Sequence, residues 1–449
     1  MNWYEMHGAF YINNFLSIKE RITMKKKLVS LLLIAAMGAT MLAGCGGSGD
    51  DTNAGGNAGG DSQASGPKDV TLKVWVAQNQ KETGIIDEQT AAFAEANKDK
   101  WNITWDIKIV GEDVAKDTVL NDVEAAADVF CFASDQTPAF VEAGAIARLG
   151  GAAEELVKST MSESEAATVS IDGALYGVPY QHNTFVMFYD KQVMTEEDVK
   201  TMEGILSKET ADGVYNYYFE SAGGWKLGAW YYGAGLSVFG ENGTNFDAGC
   251  DWNSETGVAV TKYLMDVIKN PKVGYDGEIS VSELIAEHRL GVWFDGDWNY
   301  KLYKDALGDD LGIAILPTFN INGTDYQLKS FYSTKAAGVN PKCKNMDAAV
   351  AFAAYLGNEE SQQKRFEKNA QAPVNNTLEE SQAVKENEMV SAVIEEVLKA
   401  SVVQPLSADF SNKYWANAGK ISTEIKNGNI TADNVQEQMD KIVKDMTTK

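Results

Sequence analysis

Residues 70–110 read VTLKVWVAQNQKETGIIDEQTAAFAEANKDKWNITWDIKIV, and this stretch decides the fold class. Val70–Val76 is rich in apolar and β-branched residues and reads as a strand. Over 83–98, Ile86, Gln89, Ala92, Phe93 and Ala96 recur at helical spacing, which predicts an amphipathic helix. Ile103, Trp105, Ile107 and Ile109 then alternate with Thr104, Asp106 and Lys108, the pattern of a strand with one wet face. Further on, Asp128–Ala133 is a short continuous apolar run, expected of a strand buried on both sides. Strand, helix, strand, helix and buried strand together describe an α/β unit with a mostly parallel sheet.

The same alternation returns later in the chain. Val258–Ile268 reads as a helix, Gly291–Phe294 and Leu311–Leu316 as short strands, and Ala348–Leu356, Val390–Leu398 and 432–446 as helices. No period of 20–50 residues is visible, so a solenoid is not expected. The length of 449 residues suits two to three domains, and 44% hydrophobic with 23% charged residues is an ordinary globular mix. A formal charge of −25 excludes a surface built to neutralise nucleic-acid phosphates. The histidines, His7, His182 and His288, show no metal-type spacing, so neither a metal nor a cofactor is expected.

Working outward to the N-terminus, residues 24–45 read MKKKLVSLLLIAAMGATMLAGC. Three lysines, an apolar run and then small residues form the layout of a secretory signal, too short and too rich in Gly and Ala for a comfortable membrane span. The upstream residues 1–23 precede a better start at Met24 and read as a mis-called start. From Gly46 to Lys68 the chain is GGSGDDTNAGGNAGGDSQASGPK, which cannot bury enough apolar surface to order itself and reads as a tether. Cys131 lies in an apolar run and is expected in a core, and Cys250 and Cys343 are left as a pair that could bridge.

The commonest catalytic motifs are absent: there is no Walker loop, GxGxxG, HExxH or GxSxG. Asp295 and Asp297 in FDGDWNY are the best acid/base pair, against a turn or cap at a strand end. Aromatics are more telling. Trp75, Trp105 and Trp293 read as core, but Trp225, Trp298 and Trp415 stand beside glycine or polar residues. A pyranose ring has an apolar face and a rim of hydroxyls, so its receptor needs flat rings beside amides and carboxylates.

Several segments in order resemble the extracellular solute-binding proteins of ATP-driven sugar importers, most nearly the maltose-binding type. They are LKVWVAQNQKETG, DVFCFASDQTPAFVEAGAIARL, DGALYGVPYQHNTFVMFYDKQVM, FDGDWNY and ILPTF. The ending Leu42-Ala43-Gly44-Cys45 similarly resembles the lipobox of bacterial lipoproteins, which implies lipid on Cys45 after removal of 24–44. The resemblance implies a two-lobe periplasmic-binding-protein fold (type II), each lobe a mostly parallel sheet flanked by helices, with ligand in the cleft. Lobe 1 would comprise 69–180 and 320–373, and lobe 2 181–319 and 374–449, with crossings near Pro179–Asn183 and Leu316–Thr318.

By the same resemblance, Asn79, Gln80 and Lys81 reach the sugar from the first loop, and Ser134, Asp135 and Gln136 from the third strand. Gln181, His182 and Asn183 would lie at the crossing, Asp297 beside the cleft, and Trp298 would be the stacking platform, with Trp225, Tyr414 and Trp415 as further platforms. His182 also suits a satisfied histidine between lobes. The maltose-binding type has an Asp-Arg pair at Asp135-Gln136 and a glutamate at Asn183, so this chain has lost charge there and kept hydrogen-bonding capacity. The expected partners are an oligosaccharide, the permease of an ABC importer and the membrane through Cys45, with the protein a monomer.

Overall fold

The computed structural model describes residues 66–220, 223–275 and 280–448. The expected start, signal peptide and lipid site at Cys45 lie outside the described residues, as does the tether up to residue 65. Among the described residues, no helix is long and apolar enough to cross a membrane. The strands in chain order are β1 (Lys68–Val76), β2 (Trp101–Ile109), β3 (Val129–Ala133), β4 (Gly177–Asn183), β5 (Phe185–Asp190), β6 (Tyr215–Phe219) and β7 (Val273–Tyr275). They continue with β8 (Leu290–Gly296), β9 (Leu311–Ala314), β10 (Thr318–Ile321), β11 (Thr324–Gln327), β12 (Ser330–Val339) and β13 (Ser401–Val403). The helices used below are α1 (Ile85–Ala96), α2 (Glu163–Ala167), α3 (Gly224–Gly233), α4 (Glu255–Lys269), α5 (Met346–Leu356), α6 (Glu359–Asn369), α7 (Asn376–Glu379), α8 (Glu388–Lys399), α9 (Ala408–Lys426) and α10 (Val435–Thr447).

Two sheets organise the chain. The first runs β13-β12-β3-β1-β2, with β4 also on β12. β1 pairs in parallel with β2 and β3, as the opening stretch predicts. β2 is an edge strand whose exposure alternates as expected over Trp101–Trp105, but Ile109, read as part of its dry face, is exposed at the strand end. The second sheet runs β9-β5-β8-β6-β7, with β8, β6 and β7 parallel. The strands that run against their sheet are β12, with β13 parallel to it, in the first sheet and β5 in the second. A strand that arrives from the other lobe needs no right-handed helical crossover and so is free to run against its neighbours.

Each sheet is buried by its own side chains. One core gathers Leu72, Val74, Phe93, Phe130, Phe132 and Phe352. Along β5, Phe185, Met187 and Tyr189 enter a second core, while Val186 and Phe188 enter a third on the opposite face. This period-two division explains why FVMFY, before the buried Asp190, is apolar throughout: the sheet is covered on both sides. Cys131 is buried as expected, and Cys131, Cys250 and Cys343 are all free thiols, so the possible bridge is not formed.

The first crossing falls where the sequence puts it, as β4 of the first sheet passes through Thr184 into β5 of the second. The second crossing differs from the expectation at Leu316–Thr318. Thr318–Gln327 closes instead as a hairpin on the second core, where Phe319 and Ile321 are buried. Its turn residues Asn322 and Gly323 both have positive φ, 53° and 85°, the geometry that Asn-Gly supplies in a tight hairpin. The chain then crosses along β12: Phe331 packs in the second core, Ala336 and Ala337 in the first.

Candidate functional site

At the end of β1 a single helical turn, Gln78–Glu82, points Gln80 inward and Lys81 outward. Gln80 is buried, donates to Glu112 Oε1 at 2.8 Å and accepts from Arg365 Nη1 of α6 at 3.0 Å. Lys81 is exposed and pairs with Asp87 at 2.6 Å, so it is not brought to the site. Asn79 is half-buried, and its carbonyl accepts from the Thr83 hydroxyl.

Glu112 is the centre of this wall. Tyr180 of β4 donates to it at 2.5 Å, and Lys335 Nζ of β12 pairs with its other oxygen at 2.8 Å. The Arg365 guanidinium lies over the Tyr180 ring at 4.2 Å. Burial alone would push the Glu112 carboxyl up. The Lys335 ammonium, together with hydrogen bonds from Lys335 and Tyr180, holds it below its ordinary value instead.

The turn after β3 adds backbone support. Gln136 donates to the carbonyls of Glu112 and Asp113 at 2.7 and 3.1 Å and accepts from the Lys116 amide, so its amide fixes the Glu112 loop. Ser134 Oγ accepts from the Thr334 amide of β12 at 3.1 Å. Asp135 has a carboxyl raised to about 7 by burial, and its carbonyl accepts from Ser411 Oγ of α9 at 3.3 Å.

The facing wall is aromatic. Trp298 follows β8, and Trp225 opens α3; their rings stack at 5.8 Å with 28° between planes. Trp225 also meets the edge of Phe185 at 4.7 Å. Lys335 Nζ lies over the Trp298 ring at 4.2 Å, so the one ammonium touches both walls. The indole of Trp298 rests on Gly296: a Cβ there would stand 2.1 Å from Cζ3 of the ring. Glycine is needed for this approach and not for its φ, which is −87°.

Beside Trp298, Asp297 is buried; its Oδ2 accepts from the Ala372 amide at 3.1 Å and Oδ1 has no partner. Burial raises its carboxyl to about 6. Gln181 Nε2 is likewise buried without a partner, whereas Asn183 donates to Ser333 Oγ at 2.9 Å. His182 Nε2 lies 2.8 Å from Glu379 Oε1. Asp295 is consumed locally, accepting from the Gly296 amide, Asn299 and Tyr303, which removes it from any acid/base pair with Asp297.

The placement of Tyr414 as a platform is corrected. It is fully buried, stacks on Phe410 at 4.4 Å and donates to the Gly224 carbonyl at 2.8 Å. Its ring is part of the core that carries α3. Trp415 is only partly buried, with its ring edge-on to Tyr414 at 4.7 Å.

Glu112, Tyr180, Lys335 and Arg365 escape the sequence reading. One signal was present: Lys335 is the lone charge in SFYSTKAAGV, a run buried at every position. A lysine there requires a buried acid nearby.

Residues 88–392 match the bacterial extracellular solute-binding proteins. The chain belongs to that family. Its proteins bind solutes and are not enzymes. Among curated relatives, a galactooligosaccharide-binding protein of Bacillus subtilis is 27% identical, over 75% of this chain and 80% of that protein. A maltodextrin-binding protein of the same organism is 25% identical over 62% of this chain and 71% of its own length. One solved structure, described as being with acarbose, is 38% identical, covers 84% of this chain and 99% of its own, and superposes with a TM-score of 0.79. The unliganded maltodextrin-binding protein of L. casei BL23, 24% identical over 85% of this chain and all of its own, shares the fold with a TM-score of 0.73. The two-lobe α/β architecture implied by the sequence is therefore the architecture of the family.

Proposed function

We propose that the chain is a lipid-anchored receptor that binds an oligosaccharide of the maltodextrin type between its lobes and delivers it to the permease of an ABC importer. The observation that carries the reading is the Trp225–Trp298 pair facing Gln80, Glu112 and Lys335. Indole faces suit the C–H face of a pyranose, and the amide, carboxylate and ammonium groups suit its hydroxyls. The relatives' names, malto- and galacto-oligosaccharide binders, support the solute class. The orphaned polar atoms of Asp297 and Gln181 are groups that hydroxyls would satisfy.

The crossings at β4–β5 and β12 support a hinge between the lobes. Ligand that touches both walls favours closure, because only the closed form supplies both sets of contacts. Calorimetric titration with maltotriose, maltotetraose and a galactotriose tests the reading. Tightest binding to the malto-series is expected; a clear preference for the galactose series would move the ligand assignment, and no binding to any would sink the sugar reading. The anchor is tested separately: Cys45→Ser should release the protein from membranes, and retention would mean that the apolar run itself stays in the bilayer.

A further inference from the structure

On the strand β4, next to Asn183, His182 points at a second cluster. Glu165 comes from α2 of the first lobe, His182 from the crossing strand, and Glu379 from α7, the short helix between Val374 of the first core and Val384 of the third. One ligand atom from each, the imidazole Nε2 and a carboxylate oxygen from each glutamate, falls within 4.8 Å of the others. Glu165 and His182 are 4% and 5% exposed.

The hydrogen bonding inside this cluster is incomplete. His182 Nε2 lies 2.8 Å from Glu379 Oε1 and can share at most one proton there, and Nδ1 of the same ring is buried without a partner. Glu165 is held through its other oxygen, Oε2, by the Ser162 amide at 2.7 Å, within a capping box. That fixes Oε1 toward the imidazole, yet at 4.0 Å it is too far to share the proton. Glu165 Oε1 thus faces the imidazole with no hydrogen bond to it. One proton cannot serve two acids, whereas a divalent cation can serve both acids and the imidazole together.

We propose that Glu165, His182 and Glu379 form a zinc-type divalent cation site that ties the crossing strand to α2 and α7. Bonds of about 2.0–2.2 Å in a tetrahedron put ligand atoms about 3.3–3.6 Å apart. The separations of 2.8 and 4.0 Å lie on either side of that spacing, and the partly exposed Glu379 has room to adjust while Glu165 stays in its capping box. The carboxylates and imidazole suit zinc among the divalent ions. Glu379 is 26% exposed, which leaves a route for entry from its side. The capping box is the outer support that orients Glu165.

The test titrates ZnCl2 into the EDTA-stripped full chain by calorimetry. One zinc per chain is expected, at a micromolar or tighter Kd. Binding at that site should weaken at least tenfold in both Glu379→Gln and His182→Gln. Co²⁺ in place of zinc should give visible d–d bands of a four-coordinate N/O site, absent in both variants. Zinc should also raise the melting temperature of the parent and not of Glu379→Gln, a change on a partly exposed four-residue helix that keeps the fold even if His182→Gln does not. No stoichiometric zinc binding, or binding undiminished in Glu379→Gln, would overturn the site. Sugar affinity is not the readout, so failure here leaves the receptor reading standing.

Discussion

Glu112 and Glu396 are both buried carboxyls, and they titrate in opposite directions. Glu112, on the first lobe, has Lys335 at 2.8 Å and is held below its ordinary value despite burial. Glu396, on α8 over the second sheet, has only neutral donors, the Leu316 amide at 2.8 Å among them. Burial raises it to about 8. Burial is common to both, so the difference comes from the counter-charge. On the polar wall Gln80, Glu112, Tyr180, Lys335 and Arg365 are joined to one another, whereas Glu396 over the second sheet meets neutral donors alone.

The sharpest way to break this contrast is to remove the pairing cation. Lys335→Ala leaves Glu112 buried and unpaired, which typically costs about 3–5 kcal/mol. A large fall in melting temperature is expected, and most of it should return in the Lys335→Met, Glu112→Gln double variant. A single variant as stable as the parent would show that water reaches Glu112 and that the wall is not closed.

Next in size is the pH response of the unpaired acid. Unfolded, Glu396 titrates near 4.5; folded, near 8. Between these values the native chain holds a proton that the unfolded chain has lost, so Glu396 makes stability fall as pH rises. From pH 5.5 to 7.5 its share is at most about 2.7 kcal/mol, two pH units at about 1.36 kcal/mol each. Urea midpoints of the parent and Glu396→Gln at the two pH values measure it, and the variant should show the shallower decline. Parallel curves would mean that Glu396 is ionised in the fold.

On the aromatic wall, Trp298→Ala should weaken sugar binding at least about tenfold, or about 1.4 kcal/mol. The ligand-free melting temperature should barely move. A variant that melts far lower but binds normally would make Trp298 a core residue. The smallest effect isolates the ring's position: in Gly296→Ala the indole must leave its seat on the backbone. Affinity should then fall about threefold, with folding unchanged, by loss of part of a stacking contact. Equal affinity would mean that the seat is irrelevant to binding.

The opening strands and helices were legible because each has one dominant period and a local partner. The second crossing was not, since the Pro317 segment looks like an extended passage while Asn322-Gly323, the real turn signal, lies five residues later. Tyr414 and Trp415 show how one residue matters on a helix. Phe410, Tyr414, Ala418, Ile421 and Ile425 share the buried stripe of α9 at spacings of three and four, and Trp415 is a step round from it. Trp298 and Trp225 were singled out by their polar frame, and the fold stacks the two rings on each other. Glu112 and Arg365 were not, because their partners lie far off along the chain and only the folded sheets bring them together.

Strand β12 has a consequence for the order in which the chain can fold. Its residues 335–339 pair with β3, and the Thr334 amide reaches Ser134 across 200 positions. A chain emerging from its N-terminus therefore presents β1, β2 and β3 long before the strand that covers the open side of β3 exists. Closing so large a loop is entropically slow, and contacts of this separation go with slow folding. The N-terminal part of the first lobe waits for residues near 339, so that lobe is not an early, self-sufficient unit, and a chain cut before β12 should remain an unfinished sheet with an exposed edge.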